Sequence, residues 1–208
     1  MYTKCLILQG GGKMDKEIKY LTKEEIKKVF KVIRESDAKY SLRDEVLFRV
    51  GFETACRVSE MSLFRIKDFN SDTRDIYCRR NKSGNNNTVR LSKETSRLLK
   101  KYIQSIDDVN TEFIFMSQFG KPLSRKTIDL LTKKYFKMAK IKDVSKHHFH
   151  VLRHTRAVTM LEDSCTLEDI KYLLGHKKFA NTLIYAQFSS NYKKSLFDKL
   201  DFIEDRYS

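Results

Sequence analysis

The chain has 208 residues, 40% of them hydrophobic and 12% aromatic, and carries a net charge of +15. That length and apolar content exclude a disordered chain and suit one ordinary domain with a buried core. The charge draws polyanions, either nucleic acid or an anionic membrane surface. No apolar run approaches the roughly 20 residues of a membrane span, so a cytoplasmic protein is expected.

Residues 1–19 contain QGGGK and mixed charge without periodicity and read as a flexible leader, with Met14 an alternative start. Thr22-Lys-Glu-Glu25 forms a capping box, and Ile26, Val29, Phe30 and Ile33 recur at helical spacing, which predicts a helix over about 22–36. A second helix opens at Ser41 and Asp44 and ends between Thr54 and Arg57. Ser59-Glu60-Met61 begins a short third. From Ile66 to Leu91 the helical period fades, and Asp75–Cys78 and Thr88–Leu91 read as a hairpin with a mobile polar tip at Lys82-Ser-Gly-Asn-Asn-Asn87. Ser92 and Thr95 start a helix bearing Leu98, Leu99, Tyr102 and Ile103, and Phe113–Met116 is a short extended piece. Pro122 and Ser124 set up a helix reaching Ala139, and Thr166 with Asp169 caps one that ends at Gly175. The tail over 191–208 carries Leu196, Phe197, Leu200 and Ile203 on one stripe, which either folds on its own core or docks on a neighbouring subunit. The cysteines at 5, 56, 78 and 165 form no C-x-x-C pair and read as reduced thiols.

The chemistry-bearing residues concentrate between His147 and Tyr185, a stretch that holds all five histidines. His150 and Arg153, three apart, share one helix face. His176 begins a loop after Gly175, and turn chemistry at Asn181 lets the chain fold back so that Tyr185 reaches the same point. Two histidines, an arginine and a phenol around an anionic pocket point to phosphoryl transfer. The arginine neutralises non-bridging oxygens, the histidines handle protons and the phenol attacks. Arg57 lies in an apolar run, where an unpaired charge is costly, and Glu60 is read as an orienting partner for Arg57 or for a histidine. His150 and His154 have the spacing of a zinc helix, but Arg153 between them would repel a cation, so no metal is assigned.

His150-Val-Leu-Arg153-His154, Leu174-Gly175-His176 and Thr182-Leu-Ile-Tyr185 resemble the catalytic signature of the tyrosine recombinases, also called phage-type integrases. Upstream, Thr54-Ala-Cys-Arg57-Val-Ser-Glu60-Met is similar to the family's T-G-L-R-I-S-E-L, and the order is kept over about residues 20–190. The resemblance implies a mainly α (α+β) fold, a helical catalytic domain over 20–190 with a small antiparallel β-sheet. It implies a site-specific recombinase or integrase that cleaves and rejoins double-stranded DNA through a 3′-phosphotyrosine intermediate without any cofactor, as a homo-oligomer, a tetramer on paired sites. Tyr185 would be the nucleophile, Arg57 and Arg153 the phosphate clamp, and His150 and His176 the proton handlers. Lys82 matches the family's K-x-G turn and would be the general acid, with Glu60 and His154 in support. Arg79, Arg80, Arg90, Lys121, Arg125, Lys126, Lys133 and Lys134 are expected to follow the DNA backbone. A type IB topoisomerase would share this pocket, and a non-catalytic DNA-binding regulator would share the fold. Only 56 residues precede Arg57, too few for the extra helical domain common in the family, so the chain resembles in size the small recombinases of fimbrial phase variation.

Overall fold

In the computed structural model, which describes residues 18–81, 84–106 and 111–188, the described helices run in the order α1 (Lys23–Arg34), α2 (Ser41–Thr54), α3 (Val58–Met61), α4 (Lys93–Gln104), α5 (Arg125–Met138), α6 (His150–Glu162), α7 (Leu167–Leu174) and α8 (Ala180–Leu183). Strands β1 (Phe69–Asn70), β2 (Asp75–Cys78) and β3 (Asn87–Arg90) lie between α3 and α4. Most of the expected leader, Lys82 of the hairpin tip and the tail over 191–208 lie outside the described residues.

Local chemistry explains the helix starts. The Thr22 hydroxyl accepts the Glu25 N–H at 3.1 Å, and the Glu25 carboxylate accepts the Thr22 N–H at 2.9 Å. Ser92, Ser124 and Thr166 cap α4, α5 and α7 in the same manner, each satisfying a backbone donor that the helix leaves unpaired. Helix α2 is different, because α1, α4 and α6 pack around it and every residue from Arg43 to Gly51 is buried. Its charges survive there only in pairs. Arg43 donates to Asp44 at 2.8 Å, Arg49 donates to Glu45 at 2.9 Å, and the Tyr135 hydroxyl donates to Asp44 at 2.8 Å. Asp44 lies in the first turn, as expected, and is also one of the helix's buried anchors.

Gly51 faces the start of α6. A Cβ there would fall 2.4 Å from Cζ of Phe149, so the ring lies directly on the α2 backbone. Phe149 immediately precedes His150, and its burial to 1% exposure seats helix α6 against α2.

The three strands form one antiparallel sheet in the order β1-β2-β3, with Ile76 opposite both Phe69 and Val89. Ile76, Cys78 and Val89 point into the core. Strand β1, only two residues long, was too short to show alternation in the sequence. Phe113 and Met116, in the expected extended piece, make isolated bridges to Arg65 and Pro122. The described part of the hairpin tip is anchored, against the expectation of mobility. The Asn85 N–H donates to the Gly175 carbonyl at 2.9 Å, and the Asn87 amide donates to the Tyr172 carbonyl at 2.8 Å. The Tyr172 carbonyl accepts the Gly175 N–H at 3.0 Å, and the asparagine-rich tip supplies a further donor to it and one to the Gly175 carbonyl. The mainly helical fold with a small antiparallel sheet is the one expected.

Candidate active site

Helix α2 ends where Ala55 takes a left-handed conformation, φ 50°, and this turn delivers Arg57 to the mouth of a cavity. Glu60, one turn on, is almost fully buried at 1% exposure. Its carboxylate accepts from the Arg57 guanidinium at 3.0 Å, the Arg57 N–H at 2.9 Å and the Asn81 N–H at 3.1 Å. Burial alone would raise its pKa, but these donors and the Arg80 charge outweigh it and hold the carboxylate ionised. Glu60 thus orients Arg57.

Helix α6 brings Arg153, 2% exposed, to the same cavity. The guanidinium donates to the Ala55 carbonyl at 2.6 Å, to the Leu174 carbonyl at 2.9 Å and to Nε2 of His176 at 2.9 Å. Arginine cannot accept, so Nε2 of His176 is the acceptor and its proton sits on Nδ1, which donates to Thr182 Oγ1 at 2.9 Å. Helix α7 stops at Gly175, whose φ of 65° and close backbone neighbours favour glycine, and His176 follows it into the cavity. Helix α8 carries Thr182 and returns the chain to Tyr185, which is 1% exposed with its hydroxyl 2.8 Å from Nδ1 of His154. His154 therefore touches the phenol itself, a closer role than the support expected of it. Its ring stands edge-on to that of His150, with centroids 4.6 Å apart.

Arg57, His150, Arg153, His154, His176 and Tyr185 line one cavity of about 330 Å³. Its electrostatics follow from desolvation beside two fixed cations. Burial pushes the Tyr185 phenol up to about 12, while Arg153 and Arg57 pull the other way. Burial pushes His150 down to about 3 and His154 and His176 to about 4, and in each case the Arg153 charge adds to the effect. Arg153 itself falls to about 10, through burial and then the charges of Arg57 and Arg80. A site this short of negative charge is built for an anion.

These shifts imply a pH dependence of stability. In the unfolded chain each histidine takes a proton near pH 6.5, while in the folded protein these three do so near 3 to 4. Between those values the unfolded state binds more protons, so their contribution is complete above pH 6.5 and is lost as the pH falls. Thermal unfolding of the DNA-free protein is expected to give a flat Tm from pH 7.5 to 6.5 and a falling one towards pH 5. A Tm that holds steady to pH 5 would contradict the buried, neutral imidazoles.

The residues expected on the DNA backbone separate into two groups. Lys121, Arg125, Lys126, Lys133 and Lys134 are exposed. Arg125 and Lys133 line, with His147, His148 and His150, a second cavity of about 310 Å³ that shares His150 with the first. Arg90 is exposed and paired with Asp75 at 3.0 Å, and Arg79 is paired with Asp68. Arg80 does not belong with them. Its side chain has 0% exposure and no face towards solvent, so the expected DNA contact is corrected to an internal one. Sequence reasoning missed this because an arginine in a hairpin beside other basic residues reads as surface. Thr182 was quoted only as part of the tyrosine motif, and its hydroxyl proves to accept the His176 Nδ1 proton in the tautomer that Arg153 imposes. Cys56 and Cys78 are buried free thiols.

A model of the phage integrase family matches residues 19–191. The chain belongs to the phage integrase family. This integrase-family chain is 30% identical over 190 residues to the tyrosine recombinase XerA of Pyrococcus furiosus, covering 90% of its own length and 63% of the relative's. It is 29% identical over 186 residues to a probable integrase/recombinase protein of Methanocaldococcus jannaschii, covering 87% and 55%. It therefore spans between about half and two thirds of the length of these curated relatives. Among solved structures, the XerA recombinase superposes with a TM-score of 0.73 at 25% identity, covering 86% of this chain and 64% of that one. The catalytic domain of bacteriophage HP1 integrase, at 20% identity, shares the fold with a TM-score of 0.64 over 88% of this chain and 95% of that one.

Proposed function

We propose that this chain is a tyrosine-type site-specific DNA recombinase, in the integrase sense, that cleaves and rejoins strands through a 3′-phosphotyrosine. One observation carries the proposal: the Tyr185 hydroxyl shares a single cavity with both arginines and three histidines. The scissile phosphate would enter beside Arg57, whose side chain keeps 27% exposure, and the two guanidinium groups would offset the charge gathering on its non-bridging oxygens. Tyr185 attacks phosphorus and passes its proton to Nδ1 of His154, which it already touches. As the Tyr185 O–P bond forms, the P–O5′ bond breaks, and Lys82 protonates the leaving oxygen. Support for Lys82 comes from its flanks, since Asn81 is bonded to Glu60 and Gly84 pairs with His176. The ester conserves the energy of the broken bond, so rejoining needs no further input.

The partner is double-stranded DNA, held by the exposed lysines and arginines of α5 and its approach, in a tetramer on paired sites, in the cytoplasm with the nucleoid. In support, XerH, which shares the fold with a TM-score of 0.75 at 23% identity over 91% of this chain and 54% of that one, was solved bound to palindromic difH substrate as a post-cleavage complex. Among the described residues no helix is long and apolar enough to cross a membrane.

The test is incubation with nicked suicide duplexes of randomised sequence in the presence of chelator. A covalent protein–DNA complex is expected, with the phosphoryl group mapped to Tyr185. Failure to capture any duplex, or plasmid relaxation equally efficient with and without paired sites, would overturn the reading.

A further inference from the structure

Arg80 is a cation sealed inside the protein, and every atom of its fork is occupied. Nε donates to Asn87 Oδ1 at 3.0 Å, and Nη1 donates to Cys56 Sγ at 3.0 Å and to Glu60 Oε2 at 3.3 Å. Nη2 donates to two carbonyls, Thr54 at 3.0 Å and Leu173 at 2.6 Å. Thr54 and Glu60 bracket Arg57, while Leu173 is the second-last residue of the helix that presents His176. The stem is clasped as well. A Cβ on Gly84 would come 2.8 Å from Cβ of Arg80, and one on Gly175 would come 3.0 Å from its Cγ. The Gly84 N–H donates to the Asn81 carbonyl at 2.7 Å, and Gly175 precedes His176.

We propose that Arg80 is a positioning residue for strand cleavage, holding the segments of Arg57, His176 and Gly84 in one register through a single buried guanidinium. The inference rests on the recombinase reading above. Desolvating a cation is costly, and a pair of apolar side chains could fill the same volume, so stability does not explain the choice. Geometry does. A planar fork with five donors fixes the angle between three backbone segments, which neither an ammonium nor an apolar contact can do. Displacing either wall of the phosphate cavity by about 1 Å is enough to cost roughly 100-fold in rate.

The test uses the full chain and duplexes captured as above. Arg80→Lys keeps the charge but cannot reach Thr54 and Leu173 together. It is expected to slow covalent capture by about 100-fold with DNA binding within about threefold of wild type. Capture by Arg80→Lys within about threefold of wild type would sink the proposal. A second readout needs no cleavage: ¹⁵N NMR of the His176 ring in the DNA-free protein. Arg80→Lys is expected to move its nitrogen shifts away from the Nδ1-protonated form, and unchanged shifts overturn the proposal whether or not the wild type cleaves. Altered shifts without wild-type capture would uphold the positioning and discard the recombinase reading.

Discussion

Tyr185→Phe is expected to abolish covalent capture of nicked duplexes while leaving a folded, DNA-binding protein. Tyr185 is the only tyrosine among the residues lining the cavity, so no neighbouring phenol takes over the attack. The ring itself is 1% exposed, and phenylalanine refills its volume. What disappears is the bond to His154, at a cost of about 0.5–1.5 kcal/mol, too little to unfold a domain of this size. With the phenol pushed up to about 12 by burial, the hydroxyl is neutral at pH 7, and the attack requires its proton to leave as the new bond forms. Gel assays of covalent complex and of half-site binding separate the two effects. Capture at the wild-type rate would place the nucleophile on another residue.

Arg153→Ala is expected to damage both stability and chemistry. Its guanidinium satisfies the Ala55 and Leu174 carbonyls and one nitrogen of His176, all at 2.6–2.9 Å. Each buried acceptor left without a donor costs about 1–3 kcal/mol, so chemical denaturation should register a loss of several kcal/mol. Cleavage should fall by at least about 100- to 1,000-fold, the scale for removing one preorganised donor to a developing oxyanion. Arg153→Lys divides these effects. The ammonium keeps a charge near the phosphate but cannot span both carbonyls, so it should recover part of the cleavage rate and little of the stability. Full activity in Arg153→Lys would show that the charge alone matters and that the two-carbonyl clasp is incidental.

The capping boxes at Thr22 and Thr166, the glycine stop at 175 and the polar hairpin between Cys78 and Leu91 were all legible in the chain, because each is decided by contacts within a few residues. That Arg57, His150, Arg153, His176 and Tyr185 belong together was legible too, since their types and order mark them as candidates for phosphoryl chemistry and the fold gathers all five on one cavity. Helix α2 was only half readable. Packed on all sides, it has no polar face to give it an amphipathic period, and its charges are explained by partners up to 91 residues away.

Local residue patterns thus determined the helices, the hairpin and the inventory of reacting groups. Tertiary structure decided which arginine keeps a partly exposed side chain and which one is sealed inside, since Arg79 and Arg80 are neighbours in sequence and differ only in what surrounds them. It also decided that His154 touches the Tyr185 hydroxyl and that Arg153 sets the tautomer of His176. Burial and long-range hydrogen bonds make these choices, and both depend on segments far apart in the chain arriving at one place.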